Sequence, residues 1–207
     1  MNPLNTLTGT LVGGLVLSLI IMAIAAGTGS SMGGIDAVNA FLIWLHVFAG
    51  ITWIGLLYYF NFVQVQALSD AASDDEGPSG AAITRYVAPR ALWWFRWAAL
   101  VTWLAGFTFL LHTQNTINVF SLGLVPGGGD ATYGLTLGVG AWLGSIMLFN
   151  VWMVIWPNQK KVLGMVEASA EEINKARRTA FVFSRTNTLL SIPMLASMVG
   201  TGHGMMF

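Results

Sequence analysis

The sequence predicts an all-α integral membrane protein, a single domain built as a bundle of five transmembrane helices, and three observations carry that expectation. Of 207 residues, 55% are apolar and only 9% charged. A soluble domain carries roughly 25% charged residues, so this chain has too few to cover a water-facing surface. Mean hydropathy is +0.68. Finally, apolar runs recur at 7–27, 38–67, 92–111, 133–156 and 180–199. Each is long enough to cross a bilayer, which takes a helix of about 20 residues.

The basic residues orient these runs. All nine Lys and Arg fall in two stretches: Arg85, Arg90 and Arg96, then Lys160, Lys161, Lys175, Arg177, Arg178 and Arg185. With five spans, the loops that hold them share a side with the N-terminus. The loops 28–37 and 113–132 and the C-terminal end hold none. Positive residues stay on the cytoplasmic side. The expected topology is therefore N-terminus cytoplasmic and C-terminus periplasmic, in a bacterial inner membrane.

Taken in order, the first run contains Ala23-Ile24-Ala25, which resembles a signal cleavage site. Its start lacks positive charge, so it reads as a retained span. The second run carries a polar seam. At 100° per residue, His46, Gly50, Trp53, Leu57 and Gln64 lie within about 40° of one line, with Asn61 slightly off it. Residues 69–80 form an acidic loop too polar to pack. Residues 81–90 predict a short interfacial helix leading into the third run, with Pro89 near the entry. Trp93, Trp94, Trp97, Trp152 and Trp156 predict an aromatic belt at the cytoplasmic interface. The glycine-rich stretch 123–129 is an outer loop. The pairs Gly9/Gly13, Gly134/Gly138 and Gly140/Gly144 have the spacing that lets helix backbones approach closely.

Composition also excludes chemistry. Zero net charge gives no sign of nucleic-acid binding, and the chain has no cysteine. Disulfides, iron–sulfur clusters and covalent haem attachment through C-x-x-C-H are therefore out of reach. Histidines become the candidate ligands. His46 lies ~12 Å below the outer surface, counted at about 1.5 Å per residue, and His112 and His203 end the third and fifth runs on that same side. Imidazoles from three helices in one leaflet suit a b-type haem, with His axial ligands and propionates at the polar edge. Another transition metal could use the same atoms, and so could structural hydrogen bonds to backbone carbonyls. A second polar group, Asn61, Gln64, Arg96, Asn150, Arg185 and Asn187, lies in the inner leaflet. It reads either as a pocket for an anionic or planar polar molecule, or as snorkelling arginines and interhelical amides.

Four strings carry a family resemblance: 44–64 (WLHVFAGITWIGLLYYFNFVQ), 92–107 (LWWFRWAALVTWLAGF), 150–162 (NVWMVIWPNQKKV) and 184–199 (SRTNTLLSIPMLASMV). In this order they resemble the N-terminal membrane domain of the bacterial membrane-bound urate oxidase family. The resemblance implies a urate-oxidising membrane domain that works with a periplasmic cytochrome c. It marks His46 and His203 as matching family positions, whereas His112 has no counterpart and Trp93 stands where the family tends to place a histidine. The expectation is a haem b protein ligated by His46 first, His203 second and His112 third. No cytochrome c follows within the sequence, so the expected electron acceptor is a separate cytochrome c. The alternative is a catalytically silent accessory subunit of a larger respiratory or photosynthetic membrane complex.

Overall fold

In the computed structural model, residues 2–27 and 34–204 are described, and their regular structure is entirely helical. Part of the predicted 28–37 loop and the last three residues lie outside the described residues. The chain divides into two units, Met1–Ala40 and Phe41–Phe207.

The first unit holds a 3-10 turn at Pro3–Asn5 and α1, Leu7–Gly27. The Thr6 hydroxyl accepts a hydrogen bond from the Gly9 N–H at 3.0 Å and so caps the helix start. None of Leu7–Ile24 is buried, and the helix is apolar on every side. A helix of that kind suits hydrocarbon rather than water.

The second unit, which α2 enters from the first, is assembled from long rods of α and π segments. Helix α2, Gly34–Tyr58, continues through a π segment, Tyr59–Gln64, into α3, Val65–Ser73. A π segment at Ile83–Val87 runs into α4, Ala88–His112. After the short α5, Thr116–Phe120, comes α6, Ala131–Phe149, joined by the π segment Asn150–Ile155 to α7, Trp156–Val162. Helix α8 is Ala170–His203.

Residue pairings define the bundle. His46 meets Thr102 and Phe60 meets Phe95, so α2 runs antiparallel to α4. Trp103 donates to Ser145 and Trp152 to the Arg96 carbonyl, so α4 opposes the α6 rod. The Gly140 N–H donates to Ser197 and Asn150 to Asn187, so α6 opposes α8. Tyr58 bonds Ser191 and Asn61 donates to Ser184, which closes the ring between α2 and α8. The result is an up-down-up-down four-helix bundle. Trp53, Leu57, Phe95, Ala99, Met147, Val151, Ile155 and Met194 form its core. Ile51, Phe149, Met153, Leu189 and Ile192 point outward and are exposed, as lipid-facing residues are.

Among the described residues, four helical rods are long and apolar enough to cross a membrane: Leu7–Ile24, Ala37–Ser73, Ile83–His112 and Ala131–Val162. By length and composition, four of the five expected spans qualify and the fifth does not. The fifth segment, 180–199, does form a helix within α8, but Ser184, Arg185, Asn187, Ser191 and Ser197 interrupt its apolar run. The short helix expected at 81–90 leads into the third run as a π segment, Ile83–Val87, continuous with α4. Pro89 sits in the first turn of α4, directly after that π segment, and the rod continues through it.

The π segments have a local cause. Pro157 and Pro89 each lie two residues beyond the end of one. A proline ring inside a rod clashes with the carbonyl of the preceding turn, and a widened turn relieves that clash. The Tyr59–Gln64 segment has no proline and is dense in aromatic side chains.

Glycine spacing is borne out in part. A Cβ on Gly134 would lie 2.5 Å from Asn118 Oδ1 and 2.8 Å from the Gly123 Cα, and one on Gly140 would lie 2.6 Å from Ser197 Oγ. A Cβ on Gly138 would strike the Val119 carbonyl. Gly13 and Gly144, by contrast, face open space.

Helix ends are fixed by side chains. Asp130 caps α6 by accepting from Thr132 N at 2.8 Å and Tyr133 N at 3.2 Å. At α8, Ser169 Oγ accepts from Glu172 N at 3.2 Å, and Glu172 Oε2 accepts from Ser169 N at 2.9 Å, a complete capping box. Replacing Ser169 with alanine is expected to cost about 1 kcal/mol, read as a lower melting temperature and faster amide exchange in the first turn of α8. That cap is also acid-sensitive. The Ser169 N–H, and then Lys161 at 3.4 Å, hold the Glu172 carboxyl below its usual range. With its folded-state value depressed, the stabilisation is complete above the unfolded value of about 4.3. It is lost as pH falls through the lower folded value, so exchange in that turn should accelerate only in acid.

Candidate functional site

The pairings that define the bundle also sort its polar residues. Arg85, Arg90 and Arg96 start the α4 rod, Lys160 and Lys161 end the α6 rod, and Lys175, Arg177, Arg178 and Arg185 lie in the first half of α8. Antiparallel packing gathers all nine at one end. His46 near the start of α2, His112 at the end of α4 and His203 at the end of α8 gather at the other.

His46 is the only one of the three held within the bundle. Its Nδ1 lies 2.8 Å from the Thr102 carbonyl oxygen of α4. A carbonyl can only accept, so Nδ1 carries the proton and donates it. In the neutral ring Nε2 is then unprotonated, with its lone pair available, and it has no hydrogen-bond partner among the described residues. The ring reaches that carbonyl because the next turn of α4 presents Gly106. A Cβ there would lie 2.8 Å from Nδ1 and 2.9 Å from Cε1. Thr102 turns its own hydroxyl back to the Ala98 carbonyl at 2.7 Å, which leaves its backbone oxygen to the histidine. One turn along α2, Gly50 faces the Thr102 methyl, where a Cβ would make an ordinary contact of 3.7 Å.

His112 and His203 are exposed at helix ends, and no hydrogen bond joins them to His46 or to each other among the described residues. Nor do the described residues contain a group of three or more His, Cys, Asp or Glu placed to hold a metal ion. Trp93 belongs to the opposite end. It is exposed, packs edge-on against Trp94 at 4.9 Å, and lies about 13 Å along α4 from Thr102 at the usual helical rise. Trp93 therefore does not touch the His46 cradle.

The six inner polar residues take different partners. Asn150 Nδ2 donates to Asn187 Oδ1 at 2.8 Å, and Asn187 Nδ2 donates to the Met147 carbonyl at 3.0 Å. Asn61 Nδ2 is shared between the Leu57 carbonyl and Ser184 Oγ, both at 2.8 Å. These three asparagines are buried and act as interhelical ties. The Arg96 guanidinium carbon lies 3.7 Å from the centre of the Trp156 ring, and its Nε and one terminal nitrogen are buried without a partner among the described residues. Gln64 Oε1 and Asn61 Oδ1 are buried without a partner as well. Arg185 is exposed and packs on Phe181 at 5.3 Å, away from the others. Two of the asparagines belong to π segments, Asn61 to Tyr59–Gln64 and Asn150 to Asn150–Ile155. Such widened turns free backbone carbonyls for side-chain amides, and they recur at functional positions.

Sequence reasoning missed Gly106 and the Thr102 carbonyl. The signal for Gly106 was a lone glycine within an apolar, aromatic run. The carbonyl has no signal, because every residue has one.

Residues 129–207 match the model of a family described as urate oxidase N-terminal. The matched segment holds the α6 rod and α8, with Asn150, Asn187 and His203, and leaves out His46 and Arg96. The resemblance seen in the 150–162 and 184–199 strings thus stands on this match. No curated protein and no solved structure matches the chain.

Proposed function

We propose that this chain, which carries the urate oxidase N-terminal signature over residues 129–207, is a membrane-embedded haem b protein passing electrons toward a cytochrome c. One observation carries the proposal. His46 is buried enough to be held, its Nδ1–H is tied to a carbonyl, and its Nε2 is left with a free lone pair. Ligating histidines are held in this way, because the second hydrogen bond fixes the tautomer and the ring plane and raises the basicity of the ligating nitrogen. The donor set fits a single axial imidazole, with His203 and then His112 as further ligands at the same end of the bundle. Haem b held there would supply a one-electron redox centre.

The protein's own part is to seat the imidazole, to shield its inner side with the α2–α4 contact, and to present the other side toward the histidine end. By the positive-inside rule that end faces the periplasm of a bacterial inner membrane, which sets the N-terminus inside and the C-terminus outside. A separate cytochrome c would dock there, away from the basic residues.

A second reading is an accessory subunit of a larger membrane complex, without catalysis of its own. It is favoured by Trp93 in place of the family's histidine and by the exposed, separate positions of His112 and His203.

A redox difference spectrum of the purified full-length protein tests the proposal. The expected result is a b-type Soret band that sharpens on reduction, with reduction also achieved by urate. A colourless, iron-free preparation overturns the haem assignment. A haem that stays oxidised in millimolar urate selects the accessory reading.

A further inference from the structure

We propose that Gly106 is a positioning residue. By lacking a Cβ it lets the His46 imidazole lie against the Thr102 carbonyl, which locks the Nδ1–H tautomer and makes Nε2 the nitrogen offered to a ligand. The inference deepens the haem reading and rests on it for its purpose, although its geometry can be tested on the protein without any haem.

Three observations converge. Nδ1 is 2.8 Å from a group that can only accept. The space that a Gly106 side chain would fill is already taken by the imidazole, at 2.8 Å from Nδ1 and 2.9 Å from Cε1. Both are shorter than a carbon tolerates, so any side chain at 106 must displace the ring. The ring cannot move without lengthening the bond to Thr102. Gly50, on the other side of the same helix contact, has no such constraint, since its Cβ would meet only a methyl group at 3.7 Å. The close approach is therefore specific to the imidazole and is not a general demand of α2–α4 packing. An alanine at 106 would also improve the helix propensity of α4, so a loss on substitution points to the ring and not to the backbone.

The experiment combines tautomer and stability in detergent-solubilised full-length protein. Nitrogen-15 spectra of the histidine rings, assigned with His46→Ala, should show His46 protonated at Nδ1 and bare at Nε2 when neutral. Gly106→Ala should shift these resonances, and Gly50→Ala should not. In the stability arm, Gly106→Ala should lower the melting temperature in the native background and leave it unchanged or raised in a His46→Ala background. If Gly106→Ala alone does not fold, restoration of folding by His46→Ala supports the same conclusion. An Nε2–H tautomer in the native protein, or an equal loss in both backgrounds, overturns the proposal. Native protein that carries no haem yet passes both arms would refute the haem reading and leave the role of Gly106 standing.

Discussion

Replacing His46 with alanine is expected to remove the b-type spectrum of the purified protein while the bundle stays folded. The two halves of this expectation have separate causes. The His46 hydrogen bond ends on a backbone carbonyl within α4, a group that the helix itself can serve. Its loss therefore leaves no stranded buried partner, and the stability cost should be about 1 kcal/mol, that of an ordinary hydrogen bond. Haem retention, in contrast, depends on the ligand directly. Removal of a residue that merely orients a ligand typically weakens metal binding about 10–100-fold, so removal of the ligand should exceed that range. His203→Ala is expected to alter the spectrum less and His112→Ala least, because both side chains are exposed at helix ends. Absorbance of matched preparations, normalised by circular dichroism, separates haem loss from unfolding. A full spectrum in His46→Ala would move the haem to another site.

The two-ended character of this molecule was legible in the sequence because charge and apolar length are summed properties. They do not depend on which way any side chain points. The histidine end and the basic end follow from residue positions and helix parity, and the antiparallel pairings reproduce both. At α8 composition alone falls short of a membrane span for an equally simple reason. Asn187, Ser191 and Ser197 look polar to a composition rule, yet each is fully buried and hydrogen-bonded, so none is presented to lipid. Composition weighs a residue's type and cannot see that its polarity is satisfied.

Of the two readings open for the inner polar group, the asparagines follow the interhelical amides, since Asn150 bonds Asn187 and Asn61 bonds Ser184. Each π segment shifts the helical phase of the residues beyond it. A seam drawn at 100° per residue through residue 64 crosses one of them. Arg96 and Arg185 then face different neighbours from the asparagines, namely Trp156 and Phe181. Pro89 and Pro157 were the visible traces of two π segments, while the third, at Tyr59–Gln64, left no trace that a propensity argument would use.

Asn187→Leu is expected to be among the most destabilising single substitutions in the bundle. Asn187 is wholly buried and works in both directions, accepting from Asn150 at 2.8 Å and donating to the Met147 carbonyl at 3.0 Å. Leucine has nearly the same size, so the change creates little cavity and isolates the polar effect. It strands the Asn150 amide, itself buried, at the entry of the π segment Asn150–Ile155. It also removes a partner from the Met147 carbonyl at the same level of the rod. A hydrogen bond between membrane helices is worth only about 0.6 kcal/mol on average. A buried group left without a partner, however, costs about 1–3 kcal/mol. The Met147 carbonyl still accepts from the Asn150 backbone N–H, so the stranded amide dominates and the expected loss is about 1–3 kcal/mol, measured as a shift in denaturant or thermal unfolding in micelles. The double variant Asn150→Leu/Asn187→Leu removes the stranded amide as well as its former partner. It should therefore recover much of the loss, because replacing both members of a buried pair with apolar groups can approach neutrality. Additive losses in the double variant would mean that the two asparagines stabilise the bundle independently. In that case the Asn150–Asn187 bond would not be the tie between the α6 rod and α8.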